Sequence, residues 1–460
     1  MKKRGLLVTL TFGFGLTLAL LWVLGIQRPL AVAALGIKQA KVSNAPAAEL
    51  HVCLSGCAYS SVQAAVDAAS DGDVIKVAAG TYNDVHVRPR NDVTATGLVT
   101  QVVYISKTLT IRGGYTTTNW TTPSPNVNPT TLDAQRQGRV IYITGYIQPI
   151  IEGLRITGGD AQGLGGVPFG WNLGGGMYVI TATAFISNNQ VFDNTCSHIF
   201  CLGGGMALYS SDATVSGNTF KYNTSGYGAG GLYLAWSNPM LDGNVFHSNS
   251  AQYGGGAFMT GSTGTFRGNI VTSNTAETGG GLVLEGSYQT LINNVIADNH
   301  CSSAGCGLWI YGASPQLLHN TIARNSGGDG SGVYITQLLW PETESTVVTL
   351  TNTILVSHTV GISVTGGNTV TVNGILQYNT PITISQSPTA TVVVQNQYTG
   401  NPAFTPDGYH LMVGSAAIDK GIDASVTVDI DGELRPAGIG YDLGADELWH
   451  RNYIPLVMRN

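Results

Sequence analysis

Charge is what this sequence most lacks. Asp, Glu, Lys and Arg together make up 10% of its 460 residues, against about 25% in an average globular protein. No basic run occurs beyond Arg4, and the net charge is −6. A nucleic-acid partner needs a concentrated Lys/Arg face, so none is expected. Sparse charge does not mean disorder, because hydrophobic residues reach 43% and disorder requires low hydrophobicity with high net charge. Cysteine is scarce as well, with six residues in three local pairs: Cys53 with Cys57, Cys196 with Cys201, and Cys301 with Cys306. Each pair fits a short-loop disulfide in an oxidising compartment. A metal site would need two such pairs side by side.

What the chain has in abundance is glycine, 61 residues, the mark of a β-rich protein with many tight turns. The N-terminus opens MKKRG, continues with a long apolar run, and reaches Ala31-Val32-Ala33. Residues 1–35 therefore read as a secretory signal peptide or an uncleaved anchor. Residues 36–50 read as a linker.

A repeat organises the rest. Asn189, Asn218, Asn244, Asn269, Asn294 and Asn320 follow one another at steps of 29, 26, 25, 25 and 26 residues, and each has a second Asn five positions on. A fixed period of this size predicts a solenoid. Three residues before each first Asn stand Ile186, Val215, Leu241, Phe266, Leu291 and Leu317; two after it stand Val191, Phe220, Phe246, Val271, Ile296 and Ile322. Beyond the glycines, pairs such as Met206 with Leu208 and Leu282 with Leu284 alternate. Three short inward-facing strands per coil make a parallel β-helix. The Asn columns are expected to stack as amide ladders. Ser60 and Gln63 stand at capping-box spacing before an Ala/Val-rich segment, which predicts a helical cap; "DVIKV" follows as the expected first strand.

The stretches "YSSVQAAVDAASDGDVIKVAAGTY" and "IIEGLRITGGDA", with the Asn and Gly repeats, resemble secreted right-handed parallel β-helix proteins of the pectin-lyase-like superfamily. The segment "SAAIDKGI…VDIDGELRPAGIGYDLGADE" resembles the choice-of-anchor Q domain of bacterial surface proteins, and the final "YIPLVMRN" resembles a terminal tag on exported bacterial proteins. The resemblance implies an all-β fold: a right-handed β-helix over 51–400, with a small C-terminal β domain over 401–460. It also implies export to the bacterial cell surface or medium, with membrane contact only through the N-terminal segment or a C-terminal anchoring system. A monomer is expected.

Enzymes of this kind cut acidic polysaccharides by β-elimination or by hydrolysis. Hydrolysis needs two carboxyl groups about 5 to 9.5 Å apart. Asp193 and Asp298 share a column but lie four coils apart, about 19 Å at the usual strand spacing. Asp242, Glu277, Glu285 and Asp329 fall in different columns. Elimination needs a base and a cation for the uronate carboxylate. Lys221 and His247 are candidates for the base, with Arg267 as the carboxylate partner and Asp242 beside it; the structural alternative is that Asp242 and Arg267 form a cross-strand ion pair.

A binding role has different candidates. Tyr178, Ala207, Tyr233, Phe258, Val283, Trp309 and Tyr334 point outward by alternation. Tyr178, Tyr233, Phe258, Trp309 and Tyr334 are the expected sugar-stacking row, unless a loop such as 159–175 covers them. Asp429, Asp431 and Asp442 are the candidates for a Ca²⁺ site, against a turn-forming role. No cofactor is required. The reading is an exported β-helix protein that binds polysaccharide or an envelope glycan without catalysis; the alternative is an extracellular polysaccharide lyase.

Overall fold

The computed structural model describes residues 47–90, 97–166, 170–337 and 345–449. The signal-peptide segment, most of the linker and the terminal tag lie outside them. Among the described residues no helix is long and apolar enough to cross a membrane.

The repeat builds a stacked parallel coil, as its period requires. Within one coil, Met240–Asp242 and Val245–His247 belong to a 22-stranded sheet, sheet A, and Ala257–Thr260 belongs to a 12-stranded sheet, sheet B. Between them the chain makes a short excursion. Successive excursions pair with one another, as in Thr275–Thr278, His300–Ala304 and Ser326–Gly327, and form sheet C. Among the described residues, the strands pair in parallel except His86–Pro89 with Leu98–Ile105.

Residues about 25 apart sit directly over one another. Ile186 pairs with Val215, then Leu241, Phe266, Leu291 and Leu317, each fully or almost fully buried. The ring of Phe220 stacks on that of Phe246 at 4.9 Å. One apolar core therefore runs the length of the rod.

The corners are held by polar ladders. Asn223 Nδ2 donates to Asn249 Oδ1 at 3.0 Å and to the carbonyl of Val191 at 2.8 Å, while its backbone N–H donates to the same Asn249 oxygen. Its own Oδ1 accepts from the side chain and backbone of Asn194. Every hydrogen-bonding group of the buried side-chain amide is thereby used. A serine ladder marks the third corner: the amides of Ser211, Ser237 and Ser262 donate to the hydroxyls of Ser237, Ser262 and Ser287. That ladder was not anticipated from the sequence. The glycines allow close coil stacking: a Cβ on Gly256 would lie 2.7 Å from the Gly281 carbonyl oxygen.

Two local expectations need correction. The first strand is Glu49–Val52, ahead of the helix, and it pairs with Val74–Ala78. Helix α1, Val62–Ala68, is capped by Ser61 rather than Ser60. Gln63 forms no capping box; it exchanges hydrogen bonds with the Tyr104 backbone and ties the helix to the end of sheet B. Lys107 Nζ donates to carbonyls at the helix C-terminus, where a cation complements the helix dipole.

The three disulfides join the pairs expected from their spacing. Cys53 is bonded to Cys57, Cys196 to Cys201 and Cys301 to Cys306, with Cα atoms 5.6, 5.4 and 4.8 Å apart. Their sequence positions suggested loop staples, but Cys196, Cys201, Cys301 and Cys306 are all fully buried. Cys196 and Cys201 pack with Ala161 as a small apolar cluster of their own. These two bridges close the excursions of their coils from within, and Cys301 itself lies in the His300–Ala304 strand of sheet C.

Residues 401–449 contain isolated bridges and turns but no strand. Their apolar side chains, among them Leu411, Ala417, Leu443 and Ala445, pack with Val295, Ala323, Ile354 and Leu376 on the outer side of sheet A. The segment is a flank layer on the rod.

Candidate functional site

The predicted aromatic row exists as a column. Tyr142, Tyr178, Ala207, Tyr233, Phe258, Val283, Trp309 and Tyr334 are consecutive partners on sheet B. They point away from the rod's core, as alternation requires, but most do not reach solvent. Tyr178 is 0% exposed, Phe258 5% and Tyr233 7%. These three cannot be a sugar-stacking surface, and only Trp309 and Tyr334 of the expected five stay partly exposed.

The cover has two parts. At the N-terminal end, the Arg139 guanidinium lies over the rings of Tyr142 and Tyr178, at 5.7 and 5.3 Å. Its nitrogens donate to the carbonyls of Leu173 and Gly165, which ties these two points of the 159–175 stretch to the face. Further along, the excursions close over the column; a Cβ on Gly228 would lie 2.6 Å from both Leu202 and the Phe258 ring.

The excursions carry their own rings, and these form the surface instead. Phe200 packs against Trp171 (5.6 Å between centroids), Trp171 against Tyr227 (5.2 Å), Tyr227 against Tyr253 (5.1 Å) and Tyr253 against Trp309 (6.0 Å). Trp309 then stacks on Tyr311 at 5.3 Å. Every member is partly or largely exposed. A signal for this second row was present in the sequence: a Tyr stands just ahead of the small-residue run in both "SGYGAGG" and "AQYGGGA".

Glu285 sits beside these rings, in the column Tyr209–Ala235–Thr260–Glu285–Tyr311 at the ends of the sheet-B strands. Thr260 Oγ1 donates to Glu285 Oε2 at 3.2 Å. Burial pushes the Glu285 carboxyl up to about 7, against the pull of the Thr260 hydrogen bond. Burial likewise raises the phenols of Tyr227 and Tyr233, with the Glu285 charge adding to both shifts. None of the sheet-B strands between Met206 and Thr336 contains Lys, Arg or His. The exposed face is aromatic and weakly acidic.

The four residues suggested for elimination lie on sheet A. Lys221 pairs with His247 and Asp242 with Arg267, in the predicted columns. Arg267 Nε and Nη2 donate to the two Asp242 oxygens at 2.8 Å each, and this bond raises the guanidinium's pKa. Both of these Arg267 donors are thus committed to Asp242. The same bidentate arrangement recurs between Arg324 and Asp298, which marks it as a repeated support between coils. Lys221 Nζ lies 5.6 Å from the Phe192 ring centroid.

The acidic triplet expected to hold Ca²⁺ does not assemble as a set. Asp429 accepts from the amides of Asp431, Glu433 and Glu447. Asp442 accepts from those of Asp419 and Leu448. Both carboxylates bind backbone in turns. Asp431 instead approaches His410 Nε2 at 2.6 Å, while Asp407 holds Nδ1 at 2.5 Å. The ligand-type atoms of His410, Asp431 and Asp446 lie within 4.8 Å of one another.

A rod of parallel coils with a single continuous core defines the class of this protein as a β-solenoid. A family model described as right handed beta helix region matches residues 134–276 and 229–376, more than half of the chain, which belongs to that family. No curated protein matches the sequence. Among solved structures, the chain is similar to pectate lyase Pel9A, with 13% identity and a TM-score of 0.34, over 88% of this chain and 97% of that one. It is also similar to the catalytic domain of a GH87 alpha-1,3-glucanase complexed with tetrasaccharides (11%, TM-score 0.24, 77% and 69%). A third likeness is to the tailspike protein of E. coli bacteriophage HK620 in complex with a pentasaccharide (12%, TM-score 0.20, 76% and 64%). None of these likenesses bears on activity.

Proposed function

We propose that the outer face of sheet B binds an uncharged polysaccharide without cleaving it. The observation that carries this reading is the run of ring-stacked, partly exposed aromatics from Trp171 through Tyr227, Tyr253 and Trp309 to Tyr311. Flat rings on a rigid scaffold offer π surfaces to sugar C–H faces at little cost in side-chain entropy. The rings are spread over six successive coils of the rod, stacked about 4.8 Å apart, which suits an extended chain. Glu285 and Thr260 supply hydrogen bonds to hydroxyls. The sheet-B strands from Met206 to Thr336 carry no cation, so a uronate carboxylate would find no strand-borne partner along that stretch and neutral sugars fit better. The pairing of Arg267 with Asp242 speaks against the elimination reading, since the cation it calls for is already engaged. The three disulfides favour an oxidising compartment and so an exported protein acting at the cell surface or outside it.

Binding of neutral and uronate polysaccharides, measured by calorimetry alongside release of unsaturated uronate products, tests the reading. Neutral-glycan binding that weakens at least about tenfold in Trp309→Ala and Tyr253→Ala is the expected result. Uronate turnover that depends on Lys221 would replace it with the lyase.

A further inference from the structure

The two ends of the rod are finished differently. At the N-terminal end, α1 covers the end of sheet B, and its Gln63 uses the Tyr104 backbone groups. At the C-terminal end, the core column that passes through Ile186 and Leu317 continues through Leu350 and Val372 to Val394. Leu350 and Val372 are 0% exposed, whereas Val394 is 37% exposed. Its strand, Thr391–Thr399, pairs with Thr369–Tyr378 on one side and with nothing on the other among the described residues. The last strand of sheet B, Ile382–Gln386, is likewise paired on one side only. Val393 and Ile382 are 45% and 46% exposed.

Natural sheets blunt such edges with charge, proline, bulges or a covering element. This end has little of that protection. No Asp, Glu, Lys or Arg occurs anywhere from residue 345 to residue 406. The C-terminal segment passes it by: Leu443 lies against Gly374, the Ala445 amide donates to Thr321, and Asn293 reaches the Val428 carbonyl. That path runs along the flank toward earlier coils and, among the described residues, leaves the open end uncovered.

We infer that the C-terminal end of the rod is an interface for a second copy of this chain, with the Thr391–Thr399 strands of two molecules pairing antiparallel about a two-fold axis. A two-fold contact brings a surface against itself, so like charges would repel across it. An end without charge meets its own image with no such penalty. The strand supplies unused backbone donors and acceptors over nine residues, and the exposed Val394 and Ile382 supply apolar area. The opposite end is closed by α1, so stacking stops at two copies and no filament forms. A dimer replaces the monomer expected from the sequence.

Sedimentation velocity of the full chain provides the test. The wild type is expected to sediment as a dimer, and the double variant combining Val393→Lys with Val394→Lys as a monomer with unchanged circular dichroism. Thr224→Lys, exposed on sheet C, is expected to remain dimeric. A monomeric wild type across the concentration range, or a lysine variant that still dimerises, overturns the inference. So does a chain cut after Trp449 that dimerises when the full chain does not, because the tail would then be the natural cover of this end.

Discussion

Asn325 Nδ2 lies 3.3 Å from His358 Nε2, so an imidazole takes the rung that earlier coils fill with an amide. The Asn325 backbone amide points at the same nitrogen at 3.4 Å. Nε2 therefore accepts from both donors, which requires the neutral ring. Burial lowers the His358 pKa to about 4, and His319, paired with Asn352, falls to about 3 for the same leading reason.

The pH dependence of stability follows from this. In the unfolded chain a histidine binds its proton near pH 6.5; in the folded protein His358 does so only near 4. Between those values the unfolded state holds more protons, so stability falls as pH is lowered, by on the order of 3 kcal/mol from this residue. Melting temperature followed from pH 7 to pH 4 should show the loss. His358→Asn, which restores the amide rung, should lessen it.

Glu285 works in the opposite sense. Its folded-state pKa is raised, so the folded protein keeps a proton that the unfolded chain has released. Stability from this group is present below about pH 4.5 and is lost as pH rises through about 7. Glu285→Gln should therefore raise the melting temperature at pH 8, by the equivalent of about 1 to 2 kcal/mol after solvent screening, and change little at pH 4. A carboxyl kept where it destabilises the fold is the kind of residue a binding face retains. The variant should weaken neutral-glycan binding while the protein becomes more heat-resistant.

Two ion pairs with the same 2.8 Å contacts should respond very differently to mutation. Arg267 and Asp242 are 43% and 33% exposed, whereas Arg435 and Glu447 are 0% and 1% exposed. Arg267→Ala should cost under about 1 kcal/mol. Arg435→Ala strands a buried carboxylate and should cost about 3 to 5 kcal/mol. Arg435 also donates to the carbonyls of Asp442 and Gly444, so the loss should first appear as exchange of amides in residues 419–448. Urea titration of both variants gives the comparison.

Lys221→Ala separates the two faces of the rod. Its side chain rests near Phe192 on sheet A, on a different sheet from the aromatic run. Neutral-glycan affinity should stay within about twofold of wild type. Tyr227→Ala, which removes a ring packed between Trp171 and Tyr253, should lower it about tenfold.

Much of this architecture was legible as spacing. A 25-residue period states which residues stack, so the Leu241–Phe266–Leu291 column, the amide ladders and the Asp242–Arg267 pair could all be read directly. Short separations did the same for the disulfides, down to the partners Cys201 and Cys306, though not for how deeply those bridges are buried. The helix cap shifted by one residue because Ser60 and Ser61 are equally good caps, and contact with Tyr104 drew Gln63 away. The serine corner was missed because a lone small residue per repeat has no apolar pattern to announce it.

The sequence by itself determined direction: alternation says that Tyr178, Tyr233 and Phe258 turn away from the core, and they do. Only the tertiary structure decided what lies over them, because a strand's period is silent about a loop from its own coil or the next one folding back across its outer side. The proposed sugar-facing role consequently moves to Tyr227 and Tyr253, which ride on the covering layer itself. Local geometry orients a side chain, but whether solvent reaches it depends on segments distant in sequence.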